Sequence, residues 1–518
     1  MVETASIESQ FAALQSRMPN LWNTSMRDPH AEHTVVVVPS LTLDTEELQK
    51  LHGFAHYEER MLFLLILLSH PKTRVVYVTA QPIHQSIIDY YLHLLPGVPY
   101  SHARSRLHMF CCNDTSVKTL TQKIVEKPTL IWRIKKTLGD TRDAHMVAFN
   151  VTGLEVELAV KLGVPLYGAH PRYLPFGQKS GARKLFGQVG VPHPVGFEDL
   201  RDEKDIAEAI VDLHGKSPAT KRAVIKLNDG FSGDGNALYP LSPIVGKRRG
   251  GLSLRERRNV VLDTLPRRIR FQARGVTWDE YLHKFKQMQG VVESFVEGRR
   301  KASPSVQLRI NPMGGIELIS THDQILGGPD GQVFIGCKFP CDPGYRAALH
   351  EAAERIARPM AARGVLGRLS IDFLTVAAEQ KNGKPWDVYA VEINLRKGGT
   401  THPFRTLQLL TGGVYDPVNG NFEMAGGEQK YYMASDNLES ENYKGLQPED
   451  LIDITTYTGL HYKSSTNTGV VFHMIGALSE FGKLGVTCIG NSPQEAQAMY
   501  DRAVQTLEEQ SRTTEWMV

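Results

Sequence analysis

The sequence predicts a multidomain protein of mixed α/β and α+β class. With 518 residues, the chain is too long for one hydrophobic core, and three or four structural units are expected. Up to about residue 170, short apolar strands alternate with helical stretches, which is typical of a three-layer α/β domain. Residues 298–415 are rich in strand patterns and contain one helical pattern at 345–363, which indicates a second, strand-rich core.

The composition is that of an ordinary water-soluble globular protein, with 41% hydrophobic and 22% charged residues. A net charge of +3 is too small to indicate a nucleic-acid or membrane partner. The five cysteines are odd in number and predict a reducing compartment rather than a disulfide framework. The longest apolar run, 61–68, is too short to span a bilayer, and the N-terminus lacks a signal pattern. We therefore expect a cytoplasmic protein without a membrane partner.

The N-terminal domain is predicted to cover residues 1–170. After about 30 polar residues, His33 to Pro39 has the pattern of a buried parallel strand. A helical stretch at 58–69 and a second strand at 74–79 follow. Further short units lie at 107–111, 129–132 and 146–150. No Gly-x-Gly-x-x-Gly follows a strand, so a dinucleotide site is not predicted.

The remainder of the chain divides at changes of pattern. Residues 171–222 contain a helix from Lys179 to the turn at Gly190, and 223–297 form a compact unit with two strands, a Gly-rich loop and a helix at 278–289. The strand-rich core at 298–415 precedes a polar, Gly- and Asn-rich stretch at 416–450 that we interpret as a linker. A small C-terminal α/β domain, 451–518, has strands at 469–478 and 486–489 and a final helix that begins with a capping box at Ser492.

Two apolar strands, 369–374 and 390–394, carry polar side chains that predict a metal site. Glu392 and Asn394 lie on the same face of their strand, and Asp372 can sit opposite them. Such oxygen-bearing side chains are costly to bury without a cation, and hard oxygen ligands suit Mg²⁺. The site points to ATP chemistry. The alternative is a surface hairpin with ordinary solvated carboxylates.

A lysine and a glycine-rich loop indicate a phosphate site. Lys226 ends an apolar strand, where it either reaches solvent or faces an anion. In the loop that follows, backbone N–H groups near Ser232, Gly233 and Gly235 can converge on phosphate oxygens. The lysine precedes the glycines, so this is not a Walker loop. The alternative is a flexible hairpin tip.

The segment after the predicted helix 278–289 resembles a nucleotide-binding hinge. An extended backbone here can offer N–H and C=O groups to an adenine edge, and its acids can accept hydrogen bonds from ribose hydroxyls. The residues concerned are Glu293, Ser294, Phe295, Val296 and Glu297.

The order of these features resembles the ATP-grasp superfamily over residues 150–415. In D-alanine–D-alanine ligase-like members, a phosphate-binding lysine lies eleven residues before the glycine of a Gly-x-Pro turn, and here Lys179 precedes Gly190 by eleven (190 − 179). Lys226 matches the second nucleotide lysine. The resemblance implies an adenine hinge at 293–296 and a metal triad of Asp372, Glu392 and Asn394.

Within that superfamily, the chain resembles the peptide ligases of pheganomycin biosynthesis. The matching segments are 303–309, 320–324, 392–403 and the tail 476–490. The resemblance implies an ATP-grasp core with a lid and a small C-terminal domain. It implies an ATP-dependent carboxylate–amine ligase that forms an amide through an acyl phosphate and releases ADP and phosphate.

The same resemblance implies ATP with two Mg²⁺ ions, or Mn²⁺ in their place, and small-molecule or peptide carboxylate and amine substrates. The product is expected to be a peptide-like natural product. A homodimer is compatible with this interpretation. The alternatives are a non-catalytic ATP-binding regulatory protein on the same fold and a kinase that releases a phosphorylated product.

One residue departs from the superfamily pattern. The arginine expected two residues before Asp372 is replaced by Ser370. Arginine suits an acyl phosphate. We predict that Arg309 and Arg396 line the acyl-phosphate site, with Arg396 favoured because it follows Asn394 on a ligand strand and Arg368 as the next candidate.

Other candidates have weaker support. His402 and His322 are candidate bases for the amine, and a role in orienting loops or substrate is the alternative. The basic stretch 247–274 is interpreted as a solvated lid insertion or a steering field rather than a nucleic-acid patch. Cys337 is interpreted as a buried structural thiol.

Overall fold

A four-stranded parallel sheet forms the centre of the N-terminal domain. The computed structural model describes residues 6–43, 48, 53–230, 235–245, 252–273, 275–328, 331–378 and 385–512. The strands are β1 (His33–Val38), β2 (Thr73–Thr79), β3 (Leu107–Cys111) and β4 (Ala144–Ala148), in the spatial order β3-β2-β1-β4. Apolar side chains project from both faces of β1 into two different apolar clusters, so the sheet is covered on both sides. The predicted three-layer α/β domain is confirmed.

Helices cover this sheet. They are Ile7–Gln15, Met18–Asn23, Phe54–Ser69, Gln85–His93, Tyr100–Ser105, Leu120–Val125, Pro128–Leu138 and Gly153–Leu162. The third of these has 3₁₀ hydrogen bonding and places Tyr57 and Arg60 toward the core of the molecule. The unit noted at 129–132 lies in the helix that begins at Pro128, where Leu130, Ile134 and Leu138 pack at helical spacing.

A five-stranded antiparallel sheet forms a separate unit, here called the lid. Its strands are β5 (Gly196–Leu200), β6 (Arg222–Leu227), β7 (Asn236–Pro240), β8 (Arg270–Phe271) and β9 (Gly290–Ser294), in the order β5-β9-β6-β7-β8. The helices Glu203–Lys216, Leu254–Arg268 and Trp278–Met288 share its apolar core. The lid is therefore larger than the predicted 223–297, because β5 and the first helix lie within the stretch predicted as a helical connector.

An eight-stranded antiparallel sheet forms the rest of the molecule. Its first five strands are β10 (Lys301–Ile310), β11 (Ile316–Gly327), β12 (Val333–Phe339), β13 (Gly367–Ala377) and β14 (Trp386–Asn394). The short strands β15 (Val414–Tyr415) and β16 (Phe422–Glu423) pair separately. The last three strands of the sheet are β17 (Tyr431–Glu439), β18 (Gly469–His473) and β19 (Lys483–Gly490). The order is β14-β13-β10-β11-β12-β17-β19-β18.

Helices and short helical turns accompany this sheet. They are Pro171–Phe176, Lys179–Gln188, Pro343–Ala362, Thr401–Thr411, Glu441–Tyr443, Pro448–Tyr457, Ile475–Ala477, Leu478–Phe481 and Pro493–Arg512. None of the helices in the described ranges combines the length and the hydrophobicity that a membrane crossing requires.

The predicted linker at 416–450 is wrong in its central part. Strand β17 runs between β12 and β19, so the C-terminal unit continues the central sheet. Ser435 and Asp436 are buried on this strand and satisfied by hydrogen bonds and ion pairs, which gave the segment the polarity of a linker. The predicted strand 469–478 is also shorter, because it ends at His473 and two helical turns follow.

Candidate active site

One large cleft lies where the lid, the central sheet and the N-terminal domain meet. Its volume is about 1040 Å³, which is large for a single small ligand. Lys226 and Glu293 line it from the lid, Asp372 and Glu392 from the central sheet, and Arg60 from the N-terminal domain. The cleft therefore has room for two ligands side by side.

A pair of carboxylates lies on the wall formed by the central sheet. Asp372 on β13 is directly opposite Glu392 on β14, and Ser370 is opposite Asn394. Asn394 Nδ2 donates a hydrogen bond of 3.0 Å to Asp372 Oδ2, and Gln324 Nε2 donates one of 3.0 Å to Oδ1. All three residues predicted as metal ligands line the cleft, so they do not belong to a solvated surface hairpin.

The charges of this pair are unequally compensated. Burial and the neighbouring Glu392 raise the pKa of Asp372. Burial would also raise the pKa of Glu392, but Lys179, whose Nζ lies 2.5 Å from Glu392 Oε1, outweighs it and the pKa is lowered. Two facing carboxylates, of which Glu392 is paired with Lys179, favour a further cation, and their oxygens suit Mg²⁺. The site thus fits the predicted ion in ligand type and charge.

Lys226 is held by a buried ion-pair group in the lid. Its Nζ lies 2.6 Å from Glu293 Oε2, and Arg183 Nη1 lies 2.7 Å from Oε1 of the same carboxylate. Burial would raise the pKa of Glu293, but Lys226 and Arg183 lower it to about 2. Both carboxylate oxygens are therefore engaged, and Glu293 positions Lys226 instead of offering an acceptor to a ribose.

The rest of the predicted nucleotide segment divides into two parts. Ser294, Phe295 and Val296 line the cleft, as a hinge would. Glu297 faces away and forms an ion pair of 3.0 Å with Arg222. Sequence reasoning missed Arg183, although a second basic side chain one helical turn after Lys179 was a readable signal.

The glycine-rich loop is described only at its base. Ser232 and Gly233 lie outside the described residues. The carbonyl oxygen of Gly235 accepts hydrogen bonds from the backbone N–H of Leu227 and from the Tyr281 hydroxyl. These contacts fasten the loop to β6 and to the helix Trp278–Met288.

The predicted arginines occupy different places. Arg396 lines the cleft beside the carboxylate pair; burial lowers its pKa, whereas Glu392 and Asp372 oppose that shift. Arg309 instead pairs with Glu317 and lies 4.6 Å from the centre of the Trp22 ring. It does not line the cleft, because it is four residues beyond Ser305 on β10, roughly 13 Å along the strand.

Arg368 also lies outside the cleft lining. It is directly opposite Arg309 across β10 and β13, and is therefore equally far along its strand from Asp372. Ser370, in contrast, lines the cleft, so the position at which the resemblance predicts an arginine does face the site.

The two predicted histidines are both buried, with different partners. His322 forms a hydrogen bond with the Tyr432 hydroxyl, and burial lowers its pKa to about 3. It is outside the cleft lining, and an imidazole with so low a pKa is a weak base, so the structure does not support the predicted role. Cys337 is also fully buried, and burial raises the pKa of its thiol well above the usual value, as a structural thiol requires.

His402 is also outside the cleft lining and belongs to a buried cluster around Asp436, which does line the cleft. Its Nε2 lies 3.0 Å from Asp436 Oδ1, and His473 Nε2 donates to the same oxygen over 3.1 Å. Arg60 Nη2 lies 3.1 Å from Asp436 Oδ2. Burial would raise the pKa of Asp436, but His402 and Arg60 hold it well below its usual range. The potential ligand atoms of His402, Asp436 and His473 lie within 4.8 Å of one another, which is close enough for a metal ion. Arg60, however, already balances the charge of the Asp436 carboxylate.

Comparisons with known proteins identify the architecture. A family model described as IQCH-like, ATP-grasp matches residues 266–417. L-propargylglycine--L-glutamate ligase of Streptantibioticus cattleyicolor is 28% identical over 505 residues, which cover 96% of this chain and 98% of that protein. Residues 266–417 therefore match an ATP-grasp domain. A second model, described as PGM1 C-terminal domain, matches residues 450–503.

Solved structures agree on the ATP-grasp fold. A biotin carboxylase–β-γ-ATP complex from Campylobacter jejuni aligns with a TM-score of 0.53 at 11% identity, covering 94% of this chain and 97% of that chain. The biotin carboxylase domain dimer of the Hydrogenobacter thermophilus 2-oxoglutarate carboxylase, solved with MgADP, ADP and bicarbonate, aligns with a TM-score of 0.52 at 12% identity, covering 93% and 94%.

Proposed function

We propose that this ATP-grasp ligase joins the carboxylate of one amino acid or peptide to the amine of another, with cleavage of ATP to ADP and phosphate. The observation that carries the proposal is the carboxylate pair Asp372–Glu392, with Lys179 bound to Glu392, in a cleft of about 1040 Å³ that Lys226 also lines. The relative of similar length is named as a ligase of L-propargylglycine and L-glutamate, which supports amino-acid substrates.

The nucleotide is assigned to the lid side of the cleft. Phe295 and Val296 line the end that an adenine would occupy, and Lys226 and Lys179 face the space between it and the carboxylate pair. Asp372, Glu392 and Asn394 would hold Mg²⁺, with two ions expected and Mn²⁺ as a substitute; the metal neutralises charge on the phosphate oxygens.

The reaction then has two steps. An oxygen of the substrate carboxylate attacks the γ-phosphorus of ATP, and the bond to the β–γ bridging oxygen breaks to release ADP. The substrate amine next attacks the carbonyl carbon of the acyl phosphate, loses a proton, and phosphate leaves. Arg396, beside the carboxylate pair, is placed to donate hydrogen bonds to the developing oxyanions. The lid excludes water that would hydrolyse the acyl phosphate.

Oxygen transfer tests this proposal directly. Purified enzyme, MgATP and pairs of L-amino acids are screened by mass spectrometry for a product equal to their sum minus water. The acid partner is then labelled with ¹⁸O in its carboxylate. We expect one ¹⁸O atom in the released phosphate. AMP and pyrophosphate as products, or unlabelled phosphate, would overturn the mechanism.

The two alternatives give different results in the same assay. A regulatory ATP-binding protein would release no ADP with any pair, and a kinase would release ADP with the acid alone and no amide. The resemblance to ligases and the complete carboxylate–lysine arrangement favour the ligase over both.

We also propose a reducing, cytoplasmic setting, because all five cysteines are free. A homodimer is compatible with the fold and is to be measured by light scattering.

A further inference from the structure

The end of the cleft opposite the lid carries two basic side chains, of which Arg60 is paired with Asp436 and Lys483 has no carboxylate partner among the described residues. Tyr57, Arg60 and Lys483 line this end, together with Phe149 and Phe334. The Arg60 guanidinium lies 4.1 Å from the centre of the Tyr57 ring, and Lys483 Nζ lies 5.8 Å from the same centre. Two cations therefore flank one aromatic ring, one contributed by the N-terminal domain and the other by the C-terminal unit.

Lys483 is a buried lysine with no carboxylate bound to it in the described ranges. Only 6% of the residue is exposed, and Glu439, which lies directly opposite it on the neighbouring strand, makes no ion pair with it. A lysine is rarely buried to this extent unless its charge is paired. Because its side chain lines the cleft, the missing partner is best supplied by a ligand.

The Arg60 guanidinium is fixed through two of its three nitrogen atoms. Nη2 is paired with Asp436, and Nε lies 3.3 Å from the sulfur of Met474. Among the described residues, Nη1 has no partner, and the side chain lines the cleft. Asp436 is itself held by His402 and His473, so the guanidinium is preorganised toward the cleft.

We propose that Arg60 and Lys483 together bind the carboxylate of the amino acid or peptide that supplies the amine. The proposal rests on the proposed function. The reacting carboxylate of the other substrate must lie beside the ATP phosphates, near Arg396 and the Asp372–Glu392 pair. A carboxylate held by Arg60 and Lys483 is therefore not the one that reacts. An amino acid that reacts through its amine always carries such a carboxylate.

The first experiment compares each acceptor that is ligated in the screen with its own α-carboxamide. The wild type is expected to use the free acid with a kcat/KM roughly 10- to 100-fold higher, as for loss of a charged hydrogen bond. Lys483→Met and Arg60→Gln are expected to lose this preference through a higher KM for the acid form, while the carboxamide changes less than about threefold. Lys463→Met, which removes a charge at an exposed position of the same unit, is the control and keeps the preference.

The KM values of the other components make the assignment falsifiable. The KM for ATP is expected to stay within about threefold in both variants. A rise confined to the KM of the carboxylate donor, or to that of ATP, would overturn the proposal, because Arg60 and Lys483 would then serve the donor or the phosphoryl group.

A binding experiment separates this proposal from the proposed function. L-glutamate and inorganic phosphate are titrated calorimetrically into wild type, Lys483→Met and Lys463→Met in the presence of Mg²⁺ and a non-hydrolysable ATP analogue. We expect glutamate binding that is lost only in Lys483→Met. That result would support the carboxylate site even if no ligation were found. The proposal would be overturned if Lys483→Met lost the binding of phosphate instead of glutamate. Equal glutamate binding in all three proteins would also overturn it.

Discussion

At the scale of single residues, the site is organised by charges that compensate one another in pairs. Lys179 neutralises Glu392, Glu293 pairs with Lys226, and Arg183 pairs with both Glu293 and Glu198. Asp372 accepts hydrogen bonds from two amides, and burial together with the neighbouring Glu392 raises its pKa. The phosphates of a nucleotide would add negative charge beside Lys226, and the metal bound to the nucleotide would add positive charge beside Asp372.

Replacing Glu392 tests the metal side. Glu392→Gln is expected to reduce kcat by about 1000-fold or more, because a charge that acts on the transferred phosphoryl group is lost. Nucleotide affinity, measured with a fluorescent ATP analogue, should fall much less, since Lys226 and the segment 294–296 remain. Glu354→Gln, on an exposed helix face, is the control. Substantial turnover in Glu392→Gln would rule out this residue as a ligand.

Replacing Glu293 tests the buried ion-pair group. Glu293→Gln leaves Lys226 buried without its carboxylate and Arg183 paired with Glu198 alone, and we expect the free energy of unfolding to fall by about 3–5 kcal/mol. Urea denaturation at neutral pH measures the loss. A change below 1 kcal/mol would show that the lid relaxes enough to hydrate the cations.

The same residue gives a pH dependence with a definite sign. Its pKa in the folded protein is lowered from 4.5 to about 2, so its stabilising contribution is complete above pH 4.5 and is lost as the pH falls toward 2. The difference in unfolding free energy between wild type and Glu293→Gln should therefore shrink below pH 4.5. A difference that stays constant from pH 7 to pH 3.5 would contradict the assignment.

Strand register explains which site residues sequence reasoning could place. Asp372, Glu392 and Asn394 followed from alternation along two neighbouring strands, and the register puts them together. The same alternation put Arg309 on the face of Ser305 but did not show how far along β10 the cleft extends. The ion pair between Asp436 and Arg60 had no sequence signal, because the two residues are 376 positions apart in the chain.

At the scale of elements, the lid is the unit that can move. Its apolar core is made of lid residues alone, whereas one apolar cluster joins the N-terminal domain, the central part and the C-terminal unit. Sequence patterns found its hairpin and the helix at 278–289 but missed its other two helices and β5. Strand β5 is short and only partly buried, with the mixed sequence Gly-Phe-Glu-Asp-Leu.

Hydrogen exchange tests the lid. A non-hydrolysable ATP analogue with Mg²⁺ is expected to slow amide exchange in β6, β9 and the helix Trp278–Met288, because closure reduces local opening. The parallel strands β1–β4 should change little and serve as the internal control. Equal protection of both regions would argue for a global rather than a local response.

At the scale of the whole molecule, both ends of the chain share one core. A single apolar cluster contains Val35 and Leu62 from the N-terminal domain, Phe339 and Phe404 from the central part, and Leu484 from the C-terminal unit. The fold class could be predicted from local patterns. This joining of the chain ends could not, since it depends on contacts between segments some 400 residues apart.

Truncation tests this union. Removing residues 451–518 deletes β18 and β19 and leaves β17 as an open edge. We expect the shortened chain to be insoluble or to lose the cooperative unfolding transition of the N-terminal domain as well, measured by circular dichroism. Native-like unfolding of residues 1–450 would show that the shared core is not needed.

The shared core has a consequence for how new specificities arise in such ligases. Both proposed carboxylate-binding residues, Arg60 and Lys483, contact the ring of Tyr57, although they come from opposite ends of the chain. A chimera that takes its first 170 residues from one parent and its last 70 from another would assemble this recognition pair from mismatched halves. A chimera with altered substrate choice should therefore be active when both terminal segments come from the same parent. The central ATP-binding part can then come from either parent.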